Sequence, residues 1–381
     1  MSKKRPNQPE ISKLVPALLE WFAANARDLP WRRTNDPYSI WISEIMLQQT
    51  QVKTVIPFYD RWMRAFPDVG SVAKAKQEKV LKLWEGLGYY TRARNLQKAA
   101  QDVMENHNGE FPHSYDDVLA LPGIGRYTAG AICSIALNLP TPILDGNVIR
   151  VLTRVFGIHE NPKDPQANAR LWELAGRLVE VALGIDPVNY QPHFSKHSSG
   201  HCSHLNQAMM ELGALVCTPT QPQCLICPLQ RHCVAFKNAL TESLPNLGPR
   251  VEATTRRFLA FLVVDKSRVL IRQRPAGVVN AHLWEFPNVE VLEKGEMPGA
   301  VAKQLFGTAP KSFELFCTIK HTITRYRITM EVHRASFNGS ATELSKSGKW
   351  CTLLDLQKLA FPSAHRKVAN LVLKSAELVK S

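Results

Sequence analysis

Apolar residues recur at helical spacing from about residue 11 to residue 236. One apolar stripe has the three-and-four spacing of an amphipathic helix and comprises Leu171, Leu174, Ala175, Leu178 and Val181. A second helical pattern, interleaved with lysines, spans residues 72–84. Clusters of Gly and Pro are typical of turns between helices, and they occur at Gly86–Gly88, Pro122–Gly125 and Pro140–Pro142. This part of the chain is predicted to be all-α.

The last third of the chain has a different pattern. Tyr326, Ile328, Met330 and Val332 alternate with polar neighbours, which is the period-two signal of a half-buried strand. Two further strands joined by a turn are predicted at residues 258–264 and 269–272, and helices at 298–306 and 364–379. The mixture indicates an α+β domain.

The two patterns predict a multi-domain protein. A chain of 381 residues, 45% of them hydrophobic, is long enough for about two globular cores. The predicted parts are an all-α domain over 1–240, a linker over 241–255 that contains Leu-Pro-Asn-Leu-Gly-Pro-Arg, and an α+β domain over 256–381.

The net charge changes the expectation about partners. The formal charge is +14, which favours a polyanionic partner, and nucleic acid is the first candidate because neutralised phosphates release counterions. A basic enzyme without such a partner is the alternative. No apolar run of about 18 residues and no apolar signal segment occurs, so we expect no membrane partner, no signal peptide and a cytoplasmic location.

Four of the eight cysteines lie close together in the sequence. Cys217, Cys224, Cys227 and Cys233 have the spacing C-x6-C-x2-C-x5-C. Soft thiolate ligands suit an iron–sulfur cluster or zinc. Zinc sites more often use two similar C-x2-C pairs, and only one pair here has that form, so the spacing favours the cluster.

A glycine turn lies in Leu121-Pro-Gly-Ile-Gly-Arg-Tyr-Thr-Ala-Gly-Ala-Ile132. Gly123 and Gly125 allow backbone N–H groups to approach a phosphate at the start of the following helix. The pattern is typical of a helix-hairpin-helix motif that binds duplex DNA without reading its sequence. A bare helix connection is the alternative, since many such turns use glycine.

Two carboxylates are candidates for catalysis. Glu44 is the only acidic residue between Asp36 and Asp60, and an apolar setting would raise its pKa and suit it to proton donation. Its alternative is a surface glutamate on an amphipathic helix. Asp145 precedes an apolar helical run, and its alternative is an N-cap, a role compatible with catalysis.

Several of these segments together resemble the adenine DNA glycosylase family (MutY), within the endonuclease III-like helix-hairpin-helix superfamily. The resembling segments are Leu29-Pro-Trp-Arg32, Trp41–Val52, Trp84–Leu96, the hairpin, Leu144-Asp-Gly-Asn147 and the four cysteines, in the family's order. The resemblance implies a helix-hairpin-helix glycosylase fold with a [4Fe-4S] cluster. It also implies a monomer acting on double-stranded DNA that contains an adenine mispair.

The resemblance also implies roles for individual residues. Glu44 would protonate adenine N7, Asp145 would stabilise the oxocarbenium-like sugar or trap it covalently, and Asn147 would organise that site. Four further positions match contacts to the DNA: Gln49 and Tyr89 as wedges beside the orphaned base, and Arg32 and Gln207 near the flipped adenine. Plainer alternatives are core packing for Tyr89 and a solvated helix residue for Gln207.

One position of the hairpin indicates the reaction type. Bifunctional members of the superfamily carry a lysine two residues after the second hairpin glycine, where this chain has Tyr127. Without that amine no Schiff base forms, so we predict a monofunctional glycosylase that removes adenine opposite 8-oxoguanine or G. The alternatives are an endonuclease III-like glycosylase and lyase acting on oxidised pyrimidines, and a non-catalytic iron–sulfur protein that binds DNA or senses redox state. A monovalent cation at the hairpin is a further expected ligand.

The last domain resembles the Nudix-like module that reads the partner base in this family. His282-Leu-Trp-Glu-Phe-Pro287 carries the matching signature, and no acidic Nudix box accompanies it. The family's lesion-checking loop commonly has Phe-Ser-His, whereas this chain has Ile323-Thr324-Arg325. Thr324 keeps a hydroxyl, and Arg325 can donate to a guanine edge or to phosphate. Neither replaces the aromatic wedge or the imidazole.

A second departure is an insert at about residues 185–204, which is rich in possible metal ligands. These are His193, His197, His201, Cys202 and His204. A zinc site is one interpretation. The others are a polar, flexible surface loop and a loop that contacts the DNA backbone.

Overall fold

The computed structural model describes most of the chain. The described residues are 9–185, 200–249, 252–291, 297–323, 325–337, 344 and 348–378. Among them, no helix is long and apolar enough to cross a membrane.

Contacts divide the chain into two compact units. The first contains residues 1–74 and 95–250, and the second contains residues 75–94 and 251–381. The segment Ala75–Arg94 therefore groups with the second unit, although it lies inside the predicted domain 1–240.

The described residues of the first unit form helices and turns, without a strand. Short 3-10 turns lie at Pro30–Arg32, Cys224–Ile226 and Gln230–His232. The helices are α1 (Ile11–Asn25), α2 (Pro37–Leu47), α3 (Val52–Ala65), α4 (Val69–Ala73), α6 (Thr91–Asn106), α7 (Tyr115–Ala120), α8 (Arg126–Leu137), α9 (Gly146–Phe156), α10 (Pro165–Leu183), α11 (His201–Leu215) and α12 (Val234–Lys237). The first four residues of α6 belong to the second unit. The predicted all-α architecture is confirmed.

Helix α11 packs against α1, α8, α9 and α10. Its residues are almost all buried from His201 to Gly213, and they include polar side chains such as Asn206, Gln207 and Glu211. Two glycines permit close packing: a Cβ on Gly213 would lie 2.6 Å from Asn147 Cβ, and one on Gly130 would lie 2.2 Å from Pro142 O. These approaches place the start of α9 against α11 and the segment before it against α8.

The second unit is built around a mixed sheet. The strands are β1 (Thr254–Asp265), β2 (Arg268–Gln273), β3 (Trp284–Glu285), β4 (Asn288–Val291), β5 (Ser312–Ile323), β6 (Tyr326–Ser336) and β7 (Lys349–Thr352). The main order is β3-β2-β1-β6-β5, with β4 paired to β1 and β7 to β2. The β1–β6 pair is parallel, and the hairpins β1–β2 and β5–β6 are antiparallel.

Helices cover both faces of this sheet. On one face α13 (Pro298–Phe306) buries Val301, Ala302 and Phe306 against Phe261 and its neighbours. On the other face α15 (Ser363–Leu378) buries Val368 and Val372. The remaining helices of the unit are α5 (Gln77–Leu83) and α14 (Leu353–Lys358). The predicted α+β architecture is confirmed.

Two local predictions need correction. Residues 72–84 are not one helix, because the chain leaves α4 after Ala73 and starts α5 at Gln77. The end of the insert is not a flexible loop: His201, Cys202 and His204 are buried in the first turn of α11. Apolar packing on α10 and α11 decides this outcome, which the polar composition of the segment conceals.

Candidate active site

Glu44 lies on α2 with its side chain buried. Asp36 caps this helix by accepting from Ser39 N at 2.9 Å, and every residue from Tyr38 to Met46 is buried. Glu44 itself is only 4% exposed. The alternative of a surface glutamate is therefore wrong.

Tyr127 holds the Glu44 carboxylate. It lies in the first turn of α8, directly after the hairpin glycines, and its hydroxyl donates to Glu44 Oε2 at 2.9 Å. The same hydroxyl lies 3.3 Å from Met210 Sδ. A superfamily position that carries a lysine amine elsewhere is thus used here to fix a carboxyl group.

Burial raises the pKa of Glu44 to about 7. The hydrogen bond from Tyr127 and the charge of Arg32 act in the opposite direction, and the negative charge of Asp145 raises the pKa further. A carboxyl group with this pKa is protonated in a large share of molecules near neutral pH, as a general acid requires.

Asp145 is the N-cap of α9, as its alternative predicted. Val148 N donates to Asp145 Oδ1 at 2.7 Å, and Asn147 Nδ2 donates to Asp145 Oδ2 at 2.9 Å. Burial raises the pKa of Asp145, but these donors and the charge of Arg150 act against the rise. Because Glu44 has few such donors, the two carboxyl groups differ in their tendency to ionise.

A chain of hydrogen bonds continues from Asp145 to the cysteine loop. Arg150 Nη2 donates to Asn147 Oδ1 at 2.8 Å and to Gly213 O at 2.7 Å, and Arg150 Nε donates to Cys217 O at 2.7 Å. Arg150 is not among the predicted site residues, because an arginine on a helix gives no signal of its partner across the fold.

Arg32 takes part in a buried ion pair with Glu211 that was not predicted from the sequence. Arg32 and Arg27 both donate to the carboxylate of Glu211, which is 1% exposed. These donors hold the pKa of Glu211 down to about 2 although burial acts to raise it. The sequence does contain a signal for this ion pair, because Glu211 is an acidic residue within the apolar run Met209–Leu212.

The other predicted base contacts differ in their placement. Gln207 is buried, with its Nε2 donating to Ser203 Oγ at 3.1 Å, so the solvated alternative is wrong. Gln49 is exposed directly after α2, with φ at 56°. Tyr89 belongs to the second unit, is 43% exposed and has φ at 46°, so core packing is not its role.

Gly123 and Gly125 of the hairpin are suited to glycine for different reasons. Gly123 has φ at +79°, and a Cβ there would lie 2.5 Å from Asn95 Cβ. Gly125 is the N-cap of α8 and brings no side chain to its N-terminal N–H groups. Arg126 stacks at 3.9 Å over the Trp172 ring beside this turn. The helix start can therefore accept an anion.

The four cysteines of the loop line one cavity, together with Arg154. Arg154 is 1% exposed, and its Nη1 donates to Cys217 Sγ at 3.3 Å and to Thr218 O at 2.7 Å. Its Nη2 donates to Pro219 O at 3.2 Å, its Nε donates to Leu244 O at 2.9 Å, and the Cys233 thiol donates to Arg154 O at 3.4 Å. Within the described ranges, no group of three or more His, Cys, Asp and Glu residues is arranged to hold a metal ion.

The structure describes only part of the insert and of the loop at residues 323–325. His193, His197 and Thr324 lie outside the described residues. His201 Nδ1 lies 3.0 Å from Ile185 O, and Cys202 Sγ faces Val179 O at 3.9 Å. Arg325, between β5 and β6, is exposed and donates to the Tyr326 hydroxyl at 3.2 Å.

Two family models match the chain. Residues 42–177 match the HhH-GPD superfamily of base excision DNA repair proteins, and residues 259–371 match the NUDIX domain. A solved structure of a thermostable thymine-DNA glycosylase has a TM-score of 0.51 and 29% identity, over 60% of this chain and 97% of that one. These matches define the class as a DNA glycosylase of base-excision repair with a helix-hairpin-helix unit and a Nudix-like unit.

The sequence relatives narrow this class. An adenine DNA glycosylase of Buchnera aphidicola subsp. Schizaphis graminum is 42% identical over 93% of this chain and 97% of its own length. The adenine DNA glycosylase of Homo sapiens is 32% identical over 94% of this chain and 74% of its own length. The chain belongs to the adenine DNA glycosylase family, which confirms the resemblance.

Proposed function

We propose that the protein removes adenine from duplex DNA where it is mispaired with 8-oxoguanine or G, and leaves an abasic site. The observation that carries this proposal is Glu44, a buried carboxyl group with a pKa of about 7 that is bonded to Tyr127 beside Asp145. The names of the relatives agree with adenine as the base.

Glu44 and Asp145 divide the chemistry. Protonated Glu44 gives its proton to adenine N7, so adenine leaves as a neutral base when the bond to C1′ breaks. Asp145, fixed by Val148 N and Asn147, places negative charge against the oxocarbenium-like sugar. Water then adds to C1′ and returns a proton to Glu44.

The residue at the lysine position limits the reaction to base removal. Tyr127 offers a hydroxyl that is bonded to Glu44 and no amine. A Schiff base with the sugar, and hence strand cleavage by elimination, has no nucleophile at this position.

Several elements would engage the DNA. Gly123 and Gly125 would bring the N-terminus of α8 to a phosphate. A monovalent cation bound at the hairpin stays a prediction. Gln49 and Tyr89 are exposed residues with positive φ, a strained conformation that suits a preformed wedge. Arg32 and Gln207 would face the flipped adenine, and Thr324 and Arg325 would contact the partner base or its backbone.

The cysteine loop would hold a [4Fe-4S] cluster. The four thiols line one cavity, and the buried guanidinium of Arg154 bonds to one of them and supplies positive charge beside what would be four thiolates. Cys217, Cys224, Cys227 and Cys233 would hold the cluster, because soft thiolate ligands suit iron–sulfur centres. The cluster would supply structural support to the loop and no chemistry to base removal. Zinc at the insert, a cytoplasmic location and a monomeric state stay predictions.

The test is base release from matched duplexes. Adenine is placed opposite 8-oxoguanine, G or C, and strand breaks are scored with and without alkali. We expect alkali-dependent breaks opposite 8-oxoguanine and G, and none with Glu44→Gln. Glu20→Gln, an exposed glutamate of α1, is the matched control. Breaks without alkali would indicate a lyase, and binding without base release would indicate a non-catalytic protein.

A further inference from the structure

The turn that carries Tyr89 has an unusual backbone. Gly86 and Gly88 have φ at 110° and 72°, and Tyr89 follows with φ at 46°. A non-glycine residue with positive φ persists only where its surroundings enforce it. The side chain of Tyr89 is 43% exposed, so its own packing does not supply that enforcement.

Contacts inside the segment close the turn. Trp84 Nε1 donates to Gly88 O at 3.0 Å, and Arg92 Nη2 donates to Leu87 O and Gly88 O at 3.1 and 3.2 Å. The Arg92 guanidinium lies 5.3 Å from the Trp84 ring and 5.6 Å from the Tyr89 ring. These contacts shape the turn, but they do not fix it to a larger body.

The fixation comes from the C-terminal part of the second unit. Glu85 accepts hydrogen bonds from Phe361 N at 2.8 Å and from Arg366 Nε at 2.7 Å, beside Lys82 Nζ at 2.6 Å. The Tyr90 hydroxyl donates to Phe361 O at 3.1 Å.

Further contacts extend the fixation on both sides of the turn. Lys82 Nζ donates to Leu359 O at 3.1 Å, and Arg94 Nη1 donates to Ala281 O at 3.0 Å. Glu85 and Arg366 are 13% and 17% exposed at their side chains, so their ion pair is shielded from water. Lys82, Glu85 and Tyr90, on the two sides of Tyr89, are thus bound to residues 359–366, at and just before the start of α15.

We propose that Glu85 and Arg366 are positioning residues that hold the Tyr89 turn in its wedge conformation. The Nudix-like unit then orders a tip that is joined through Lys74 and Asn95 to the unit bearing the carboxylates. The inference rests on the proposed function, since it takes Tyr89 as the wedge. A tip ordered in advance inserts without an ordering cost at binding.

Hydrogen exchange tests the anchor in the free, full-length protein. Glu85→Gln and Arg366→Met should speed amide exchange in the peptide that covers residues 86–92. The matched control is Glu331→Gln, which weakens the bidentate Arg257–Glu331 pair of the same unit. Unchanged exchange in both anchor variants, or equal acceleration by the control, would overturn the proposal.

A double-mutant cycle tests the link to the wedge. Affinity is measured for a duplex with 8-oxoguanine opposite a 2′-fluoro-adenosine that resists cleavage. We expect Glu85→Gln to weaken binding about ten-fold, the effect of one charged hydrogen bond, and to have little further effect when Tyr89→Ala is present. A full effect of Glu85→Gln in the Tyr89→Ala background would refute the positioning role.

A separate measurement distinguishes failure of the proposed glycosylase function from failure of the positioning role. Adenine release by the wild-type protein is measured first, and its absence refutes the glycosylase proposal. With an active wild type, restoration of binding by Glu85→Asp, which keeps the charge, supports positioning. Failure of every Glu85 variant to change either exchange or affinity overturns the inference alone.

Discussion

At the scale of single residues, Glu44 combines a carboxyl group with nearly complete burial. The Tyr127 hydroxyl is its one hydrogen-bond donor among the described contacts, whereas Asp145 accepts from Val148 N and from Asn147. Burial without full compensation is costly to folding. The same burial keeps a proton available near neutral pH, so the stability cost and the catalytic function have one cause.

The pH dependence of stability follows from the raised pKa of Glu44. The unfolded chain loses this proton near pH 4.5 and the folded protein near pH 7, so the wild type loses stability as pH rises between these values. We expect Glu44→Gln to gain roughly 3 kcal/mol in unfolding free energy relative to wild type over this range. Urea denaturation from pH 4.5 to pH 8 measures it, with Glu20→Gln as control. A pH-independent difference would contradict the raised pKa.

Tyr127→Phe should change the pH profile of the reaction. The hydroxyl lowers the pKa of Glu44 by bonding to the ionised form, so its removal raises that pKa. We expect the basic limb of the single-turnover rate of adenine release to move up by about one pH unit, the effect of losing one hydrogen bond to a charged group. Tyr115→Phe serves as the control. A shift of this limb to lower pH would mean that the Tyr127 hydroxyl does not stabilise the ionised form of Glu44.

At the scale of elements, the start of α9 joins folding to the site. Asp145 satisfies Val148 N at the N-terminus of the helix, and an asparagine can do the same. We expect Asp145→Asn and Asp145→Ala both to abolish adenine release, but only the alanine variant to lose about 1 kcal/mol of stability. Denaturation curves of the two variants decide the matter, and equal losses would exclude the cap as a source of stability.

The cysteine loop depends on α9 through Arg154. Its guanidinium donates to three loop or linker carbonyls and one thiol, so Arg154→Met leaves the buried Leu244 O and three partly buried acceptors without this donor. We expect a loss of about 2–4 kcal/mol and less iron bound per chain. Iron content and thermal unfolding are the measurements. The exposed Arg231 of the same loop, changed to Met, should leave both unaltered; an equal loss there would remove the special role of Arg154.

Local sequence patterns predicted the helices and strands better than they predicted the hydrogen bonds and ion pairs between distant residues. The strand at residues 326–332 and the helix at 298–306 depend on periodicity and are present in the structure as expected. The partners of Arg150, Arg154 and Glu211 depend on helices meeting across the fold, which spacing does not encode. The break between α4 and α5 was missed because lysines at helical spacing mask a turn that has no Gly or Pro.

At the scale of the whole molecule, the excess of 47 basic over 33 acidic residues should govern affinity for duplex DNA. If six or more phosphates are neutralised, affinity falls about a thousand-fold between 50 and 200 mM salt. Fluorescence anisotropy with a duplex containing uncleavable adenine gives the slope. Gly123→Ala should weaken binding to matched and mismatched duplexes alike, because the hairpin would contact the backbone only. A flat salt response would contradict an electrostatic mode of binding.

The cap on α9 affects which residue of a related sequence indicates that the encoded protein is still an active enzyme. A capping aspartate or asparagine at position 145 is useful to any descendant that must fold, whether or not it repairs DNA, so selection for folding alone would retain one of the two. Glu44 has the reverse property, since the folded chain gains stability when it is lost. In a drifting lineage the glutamate should therefore disappear first, and its presence is the more reliable sign that an enzyme is still at work.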